Sequence, residues 1–134
     1  TFVMNITPNF SLKEFECKDG TPVPQKYISN VKELAYNLQV LRDEIGLPIS
    51  INSGYRHPFY NKRIGGAKFS QHLTASASDI VVRDMTPKKV AKTILKLIKS
   101  GKMKEGGVGL YNGFVHYDIR GTKARWDNSS LFNF

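Results

Sequence analysis

The dipeptide Asn112-Gly113 stands between two runs rich in β-branched and aromatic residues, Gly107 to Tyr111 and Phe114 to Ile119. Asn-Gly readily takes the positive φ angles of a type I′ turn, the two-residue connection whose twist matches that of a hairpin. The pair therefore commits the C-terminal half of the chain to an antiparallel sheet, and with it to a fixed alternation of faces. In the second run His116, Asp118 and Arg120 fall on one side, with Val115, Tyr117 and Ile119 on the other. Two further strands are expected at Ile49 to Ser53 and Ala77 to Val82, each bounded by turn formers. Ala77, Asp79 and Val81 share one face of the latter. If that strand pairs near the hairpin, Asp79 and His116 converge, and His72 reaches in from the preceding loop.

Between Pro24 and Gly46, Ile28, Val31, Leu34, Ala35, Leu38, Leu41 and Ile45 recur at steps of three and four, the stripe of an amphipathic helix. Gly46 and Pro48 stop it. A second helix should begin at Thr86, whose hydroxyl caps the end while Pro87 fills the first turn, and should bury Val90, Ala91, Ile94, Leu95 and Ile98. Ser100-Gly101 marks its exit. Ser11 followed by Glu14 is a capping-box pattern, which places a short helical turn over Ser11 to Glu16 after an extended N-terminal segment.

Helices gathered around a small, mainly antiparallel sheet define an α+β domain rather than a doubly wound one. With 134 residues, 40% of them hydrophobic, there is material for one core, so residues 1–134 are read as a single domain with 127–134 as a C-terminal tail. Trp126, Leu131, Phe132 and Phe134 give the end of the chain groups that can dock on the core or on a partner.

The net charge of +9 suits polyanionic surroundings: nucleic acid, a membrane surface or bacterial wall polymers. Nucleic acid is not expected as a partner, because there is no zinc-finger spacing, no basic stripe interleaved with aromatics and no phosphate-binding glycine loop. The lysines from Lys88 to Lys104 read mostly as the solvated face of the second helix. No apolar run approaches the roughly 20 residues of a membrane span, and Thr1 to Phe10 has neither the basic start nor the apolar centre of an export signal.

The lone Cys17 excludes an internal disulfide and a cysteine-rich metal site, so any metal must be held by histidines and carboxylates. His72, Asp79 and His116 are the candidates: two imidazoles and a carboxylate can give zinc three ligands and leave a fourth position open to water. A histidine and an aspartate seven residues apart also arise often in purely structural roles.

The order of motifs adds to that spacing. Ser53-Gly54-Tyr55-Arg56, Pro58, Tyr60-Asn61, Gly65-Gly66, Ser70-Gln71-His72-Leu73, Ala77, Asp79-Ile80, the run Phe114 to Gly121 and Ala124-Arg125-Trp126 together resemble the M15 peptidases. These are zinc D-alanyl-D-alanine carboxypeptidases and related peptidoglycan endopeptidases, phage endolysins among them. The resemblance spans Phe10 to Trp126 and implies a hedgehog and D-Ala-D-Ala peptidase-like zinc domain. On it, His72, Asp79 and His116 hold one zinc ion, Arg56 anchors substrate by a carboxylate or carbonyl, with a structural salt bridge as the competing role, and Ser70 helps to hold substrate, with turn capping as the competing role. It implies a peptidoglycan peptide as substrate, action at the bacterial cell wall or periplasm, and a phage-encoded or virion-associated source with phage structural proteins as candidate partners.

Three positions depart from the pattern or fall outside it. The family usually has a carboxylate general base three residues before the last histidine ligand, and this chain has Gly113 there. Asp118 is the nearest substitute, with two roles open to it: general base, directly or through water, or the carboxylate that orients a ligand imidazole. Ala75 stands where related sequences commonly have glycine; a positive φ there costs about 1 kcal/mol. His57 lies where the pattern demands no histidine and is read as a surface or cleft-edge residue.

Overall fold

The computed structural model describes residues 5–129. Along the chain come strands β1 (Asn5–Thr7) and β2 (Phe10–Ser11), helix α1 (Ile28–Ile45), β3 (Ile49–Ser53), α2 (Pro58–Arg63), β4 (Ala77–Val82), α3 (Pro87–Lys99), β5 (Gly107–Leu110), β6 (Val115–Asp118) and β7 (Ala124–Asp127). Short 3-10 turns cover Leu12–Phe15, Gln25–Tyr27 and Gln71–Thr74. The first two strands pair with each other, and the other five form one sheet in the order β3-β4-β6-β5-β7. Every pairing in that sheet is antiparallel except β5 with β7. The architecture is the expected α+β arrangement with a mainly antiparallel sheet.

Local chemistry sets the element ends. Gly46 takes φ 68° and its N–H donates to the Arg42 carbonyl, closing α1 with a left-handed residue. The Thr86 hydroxyl accepts from Lys89 N–H at 3.2 Å and Pro87 fills the first turn of α3. At the hairpin, Tyr111 N–H donates to the Phe114 carbonyl across Asn112-Gly113, but neither turn residue takes a positive φ, so the two-residue connection forms without the type I′ angles expected of it. The strands stop one residue short of Tyr111 and Phe114 on either side of that turn. The Glu14 carboxylate accepts from the Ser11 backbone N–H and hydroxyl, as the capping pattern predicts.

One face of the sheet is apolar. Ile80, Val82, Val108, Leu110, Val115 and Tyr117 are buried there with the α1 stripe of Val31, Leu34, Leu38 and Leu41. Each of those leucines contributes about 1.5–3 kcal/mol by leaving water. Helix α3 adds Val90, Ala91, Ile94 and Leu97. The expectation for α3 needs correction, since Leu95 and Ile98 are only partly buried and Leu97 is buried. At about 100° per residue the stripe 90, 91, 94, 97 is centred on Ile94 and leaves Leu95 beyond its edge, while Ile98 lies within it but in the last turn of the helix. Lys89, Lys92, Lys96 and Lys99 are exposed, as a solvated face requires. No helix among the described residues is long and apolar enough to cross a membrane.

Three elements went unread in the sequence. The β1–β2 pair is only five residues of strand, α2 is a six-residue helix opened by Pro58, and β7 lies where only the aromatic content of Trp126 was noted. Leu131, Phe132 and Phe134 fall outside the described residues.

Candidate metal centre

Strand register lines up one row of residues across the whole sheet. Ser53 pairs with Asp79, Asp79 with His116, His116 with Gly109, and Gly109 with Trp126. The face opposite the apolar core therefore carries a carboxylate, an imidazole, a gap and an indole side by side. The gap is required: a Cβ on Gly109 would lie 2.3 Å from Trp126 ring atoms, and one on Gly107 would lie 2.2 Å from Asp118 Oδ2. Glycine at both positions lets the Trp126 ring approach His116, with ring centroids 4.9 Å apart, and lets Gly107 N–H donate to Asp118 Oδ1 at 2.8 Å.

The third candidate ligand comes from the turn before β4. Ser70 caps the 3-10 turn by accepting from His72 N–H at 3.1 Å, so the serine has the turn-capping role that competed with substrate binding. Ala75 ends the turn at φ 58°, the left-handed angle that the departure from glycine made a concern. Ser76 N–H then donates back to the Gln71 carbonyl at 3.0 Å, and Ala75 is buried. The turn absorbs the alanine and delivers His72, 2% exposed, to the edge of the row.

Hydrogen-bond chemistry decides which nitrogen of each imidazole faces inward. His72 Nδ1 is 2.8 Å from the Gly54 carbonyl, which only accepts, so Nδ1 carries the proton and Nε2 presents its lone pair. His116 Nε2 is 2.7 Å from Asp118 Oδ2 and donates to it, leaving the Nδ1 lone pair inward. His72 Nε2 and His116 Nδ1 each lie 3.3 Å from Asp79 Oδ1. His72 Nε2 is buried and has no hydrogen-bond partner.

This geometry fits a metal ion. Three electron-rich atoms converge within 4.8 Å of one another and repel unless a cation sits among them. Tetrahedral zinc with bonds of about 2.0–2.1 Å sets its donor atoms about 3.3 Å apart, the spacing seen from Asp79 Oδ1 to both nitrogens. Burial alone raises the Asp79 pKa, but without a metal the two imidazoles can take up a proton and donate to it, which outweighs burial and holds the carboxyl well below the usual range.

Two charged neighbours brace this set from opposite sides. Arg56 gives its Nε–H to Ser53 Oγ (3.1 Å), one Nη1–H to Asn61 Oδ1 (3.2 Å) and one Nη2–H to Asp79 Oδ2 (3.1 Å). Expected to hold substrate, it is in the structure the partner of the Asp79 carboxylate, with two of its five N–H groups unspent. Asp118, fully buried, accepts from His116, Gly107 N–H, Arg120 N–H and both Nε and Nη2 of Arg120. It sits on the edge of His116 that faces away from Asp79, with every oxygen engaged. That is the placement of an orienting carboxylate, and not of a base beside the inward-facing lone pairs.

The row opens onto a cleft of about 540 Å³ walled by Arg56, Ser70, Tyr111, Phe114, Arg120 and Trp126, with Ile64 and Phe69 among its other lining residues. Asp79 is its one acidic residue among the described residues. Gly113 lies outside it, exposed at the hairpin tip, where an added Cβ meets nothing within 4 Å. Trp126 Nε1–H donates to the Tyr111 hydroxyl at 2.9 Å, which leaves that hydroxyl its own proton to give. Tyr111 and the glycine pair 107/109 went unassigned in the sequence, where the alternation Gly107-Val108-Gly109 was the local signal, and Trp126 was read there only as a group that can dock on the core or on a partner. His57 caps α2, its Nδ1 accepting from Phe59 N–H at 3.2 Å, and is not part of the metal cluster.

The sequence model of the family described as peptidase M15 matches residues 7–118. No curated protein matches the chain.

Proposed function

Because the chain belongs to the peptidase M15 family, we propose that it is a zinc-dependent peptidase that hydrolyses peptidoglycan stem peptides or cross-links. It acts as a D-alanyl-D-alanine carboxypeptidase or endopeptidase at the bacterial cell wall or periplasm. The observation that carries this reading is the trio of inward-facing donor atoms on His72, Asp79 and His116, set 3.3 Å from Asp79 Oδ1 to each nitrogen and opening on a cleft. His72, Asp79 and His116 would hold the zinc ion, which when bound would supply Lewis acidity toward a scissile carbonyl and a lowered pKa for its water.

The chain's own residues supply the rest. Asp118 keeps the His116 proton on Nε2 and so keeps Nδ1 a ligand. Arg56, 14% exposed, turns its two unspent N–H groups to a peptide carboxylate or carbonyl. The Tyr111 hydroxyl, positioned by Trp126, offers a donor to a carbonyl oxygen from the opposite wall. Arg120 leaves Nη1 unspent, so the cleft is cationic at two points and suits substrates that carry carboxylates.

Zinc content of the purified protein and release of D-alanine or muropeptides from sacculi test this directly. Full activity in a His72→Ala, Asp79→Ala protein overturns it.

One observation favours a second reading: the cleft holds no carboxylate besides Asp79 among the described residues. General-base catalysis is worth about 10²- to 10⁴-fold. A zinc-stabilised binding or structural module, for instance in a phage virion, predicts stoichiometric zinc and a melting temperature lowered by chelator, with no release from sacculi.

A further inference from the structure

A second hollow of about 430 Å³ adjoins the cleft and shares Gly66 with it; Pro58, Asn61, Lys62, Lys68 and Leu73 complete its lining. Asn61 is the partition. Its Oδ1 takes a hydrogen bond from Arg56 on the cleft side, and its Nδ2–H donates to the Ala67 carbonyl at 2.9 Å. A Cβ on Gly66 would lie 2.0 Å from Asn61 Oδ1, so glycine keeps the partition thin. No Asp or Glu occurs between Glu44 and Asp79, while Lys62, Arg63 and Lys68 cluster in that stretch and are exposed.

Apolar side chains stand exposed around the hollow. Phe69 and Ile64, which line the neighbouring cleft, are 85% and 48% exposed, and Phe59, next to Pro58 in α2, is 81% exposed. Lys68 Nζ stands 5.5 Å from the centroid of the Phe69 ring, which places a cation against one of those apolar groups. Exposed aromatics beside unpaired cations, at the mouth of a cleft, form a surface built for a ligand with both apolar faces and negative charge.

Resting on the peptidase reading, we infer that this hollow is an extended subsite for the carboxylate-bearing part of the wall polymer beyond the scissile bond. Lys62 and Lys68 face its carboxylates, while Phe59 and Phe69 contact its apolar faces. The metal cleft and the lysine hollow then grip one chain on both sides of Asn61, and affinity for polymer exceeds affinity for a short peptide.

The test separates binding from cleavage. Zinc-loaded protein is sedimented with purified sacculi in brief incubations on ice, and hydrolysis of a short peptide ending in D-alanyl-D-alanine is measured in parallel. Lys62→Glu with Lys68→Glu is expected to weaken sedimentation about tenfold and to leave the short peptide's kcat/KM within twofold. The same charge change on α3, Lys89→Glu with Lys92→Glu, should lose far less, and Phe59→Ala with Phe69→Ala should fall between. Amidating the sacculus carboxyls should erase the difference between wild type and the Lys62, Lys68 variant. Equal losses from the two lysine pairs reduce the effect to net charge and overturn the subsite, as does unchanged sedimentation of the Lys62, Lys68 variant. A wild type that sediments in this charge-dependent way but cleaves nothing overturns the peptidase reading and leaves the subsite standing.

Discussion

The two histidines of the candidate metal centre are held by different means. His116 sits on a central strand, pinned by a fully buried carboxylate that also binds an arginine and a backbone N–H. His72 sits on a single 3-10 turn, pinned by one neutral carbonyl, that of Gly54. An acceptor behind an imidazole fixes its orientation and raises its basicity, and an anionic carboxylate does so more strongly than a neutral carbonyl. The strand-borne ligand is the rigid, electron-rich half of the site, and the turn-borne one is the half that can adjust.

Asp79 belongs to both halves, so its removal should have the largest effect. Asp79→Ala takes away a ligand and leaves Arg56 beside the cluster without its carboxylate. We expect loss of stoichiometric zinc and about 3–5 kcal/mol of stability, read by metal analysis and denaturant unfolding. Asp118→Asn tests the rigid half: zinc affinity should fall about 10- to 100-fold in chelator competition. An unchanged affinity would mean that the carboxylate behind His116 adds nothing.

Gly54→Ala tests the adjustable half. The new Cβ would lie 2.9 Å from the Phe15 Cα and carbonyl oxygen, which forces the Gly54 carbonyl away from His72. A cost of about 1–3 kcal/mol is expected, with a smaller loss of zinc than for Asp118→Asn. The reverse order of those two losses breaks the comparison.

Acid should separate metal-free from metal-bound protein. Burial alone lowers the His116 pKa, but Asp118 and Asp79 outweigh it and raise the value above 6.5 in the folded chain. A raised histidine stabilises the fold below its unfolded pKa and loses that contribution as pH climbs through the folded value. Chelated protein should therefore melt lower as pH rises through and above 6.5. Zinc-loaded protein should show the opposite trend, because the metal competes with protons for the same nitrogens. Parallel trends with and without chelator would count against a metal at these nitrogens. The smallest effect belongs to Ser70→Ala, which removes the cap of the His72 turn at about 1 kcal/mol and should loosen zinc only a few-fold in the same competition assay.

Legibility in the sequence followed the range of the interaction. Ile49–Ser53 and Ala77–Val82 could be bounded to the residue because turn formers flank them. The meeting of Asp79 with His116 followed from two-residue alternation once the strands were placed. Strand β7 could not be seen, since its parallel pairing with β5 is long-range and Ala-Arg-Trp-Asp has little local strand character. Asp118 stayed undecided between two roles because sequence gives the face of a side chain but not which edge of a neighbouring ring it meets. Arg56 likewise stood between a substrate group and a structural salt bridge, and its bond to Asp79 depends on a turn between β3 and α2 that periodicity does not describe.

The position of Trp126 also orders events in time. The Ser53-to-Trp126 row is assembled from strands whose order in the sheet differs from their order along the chain, and β7, which carries the indole, is the last described strand to emerge during synthesis. A nascent chain can bring His72, Asp79 and His116 together before the indole arrives to cover His116. The docking of β7 is then the late step that closes the indole over His116.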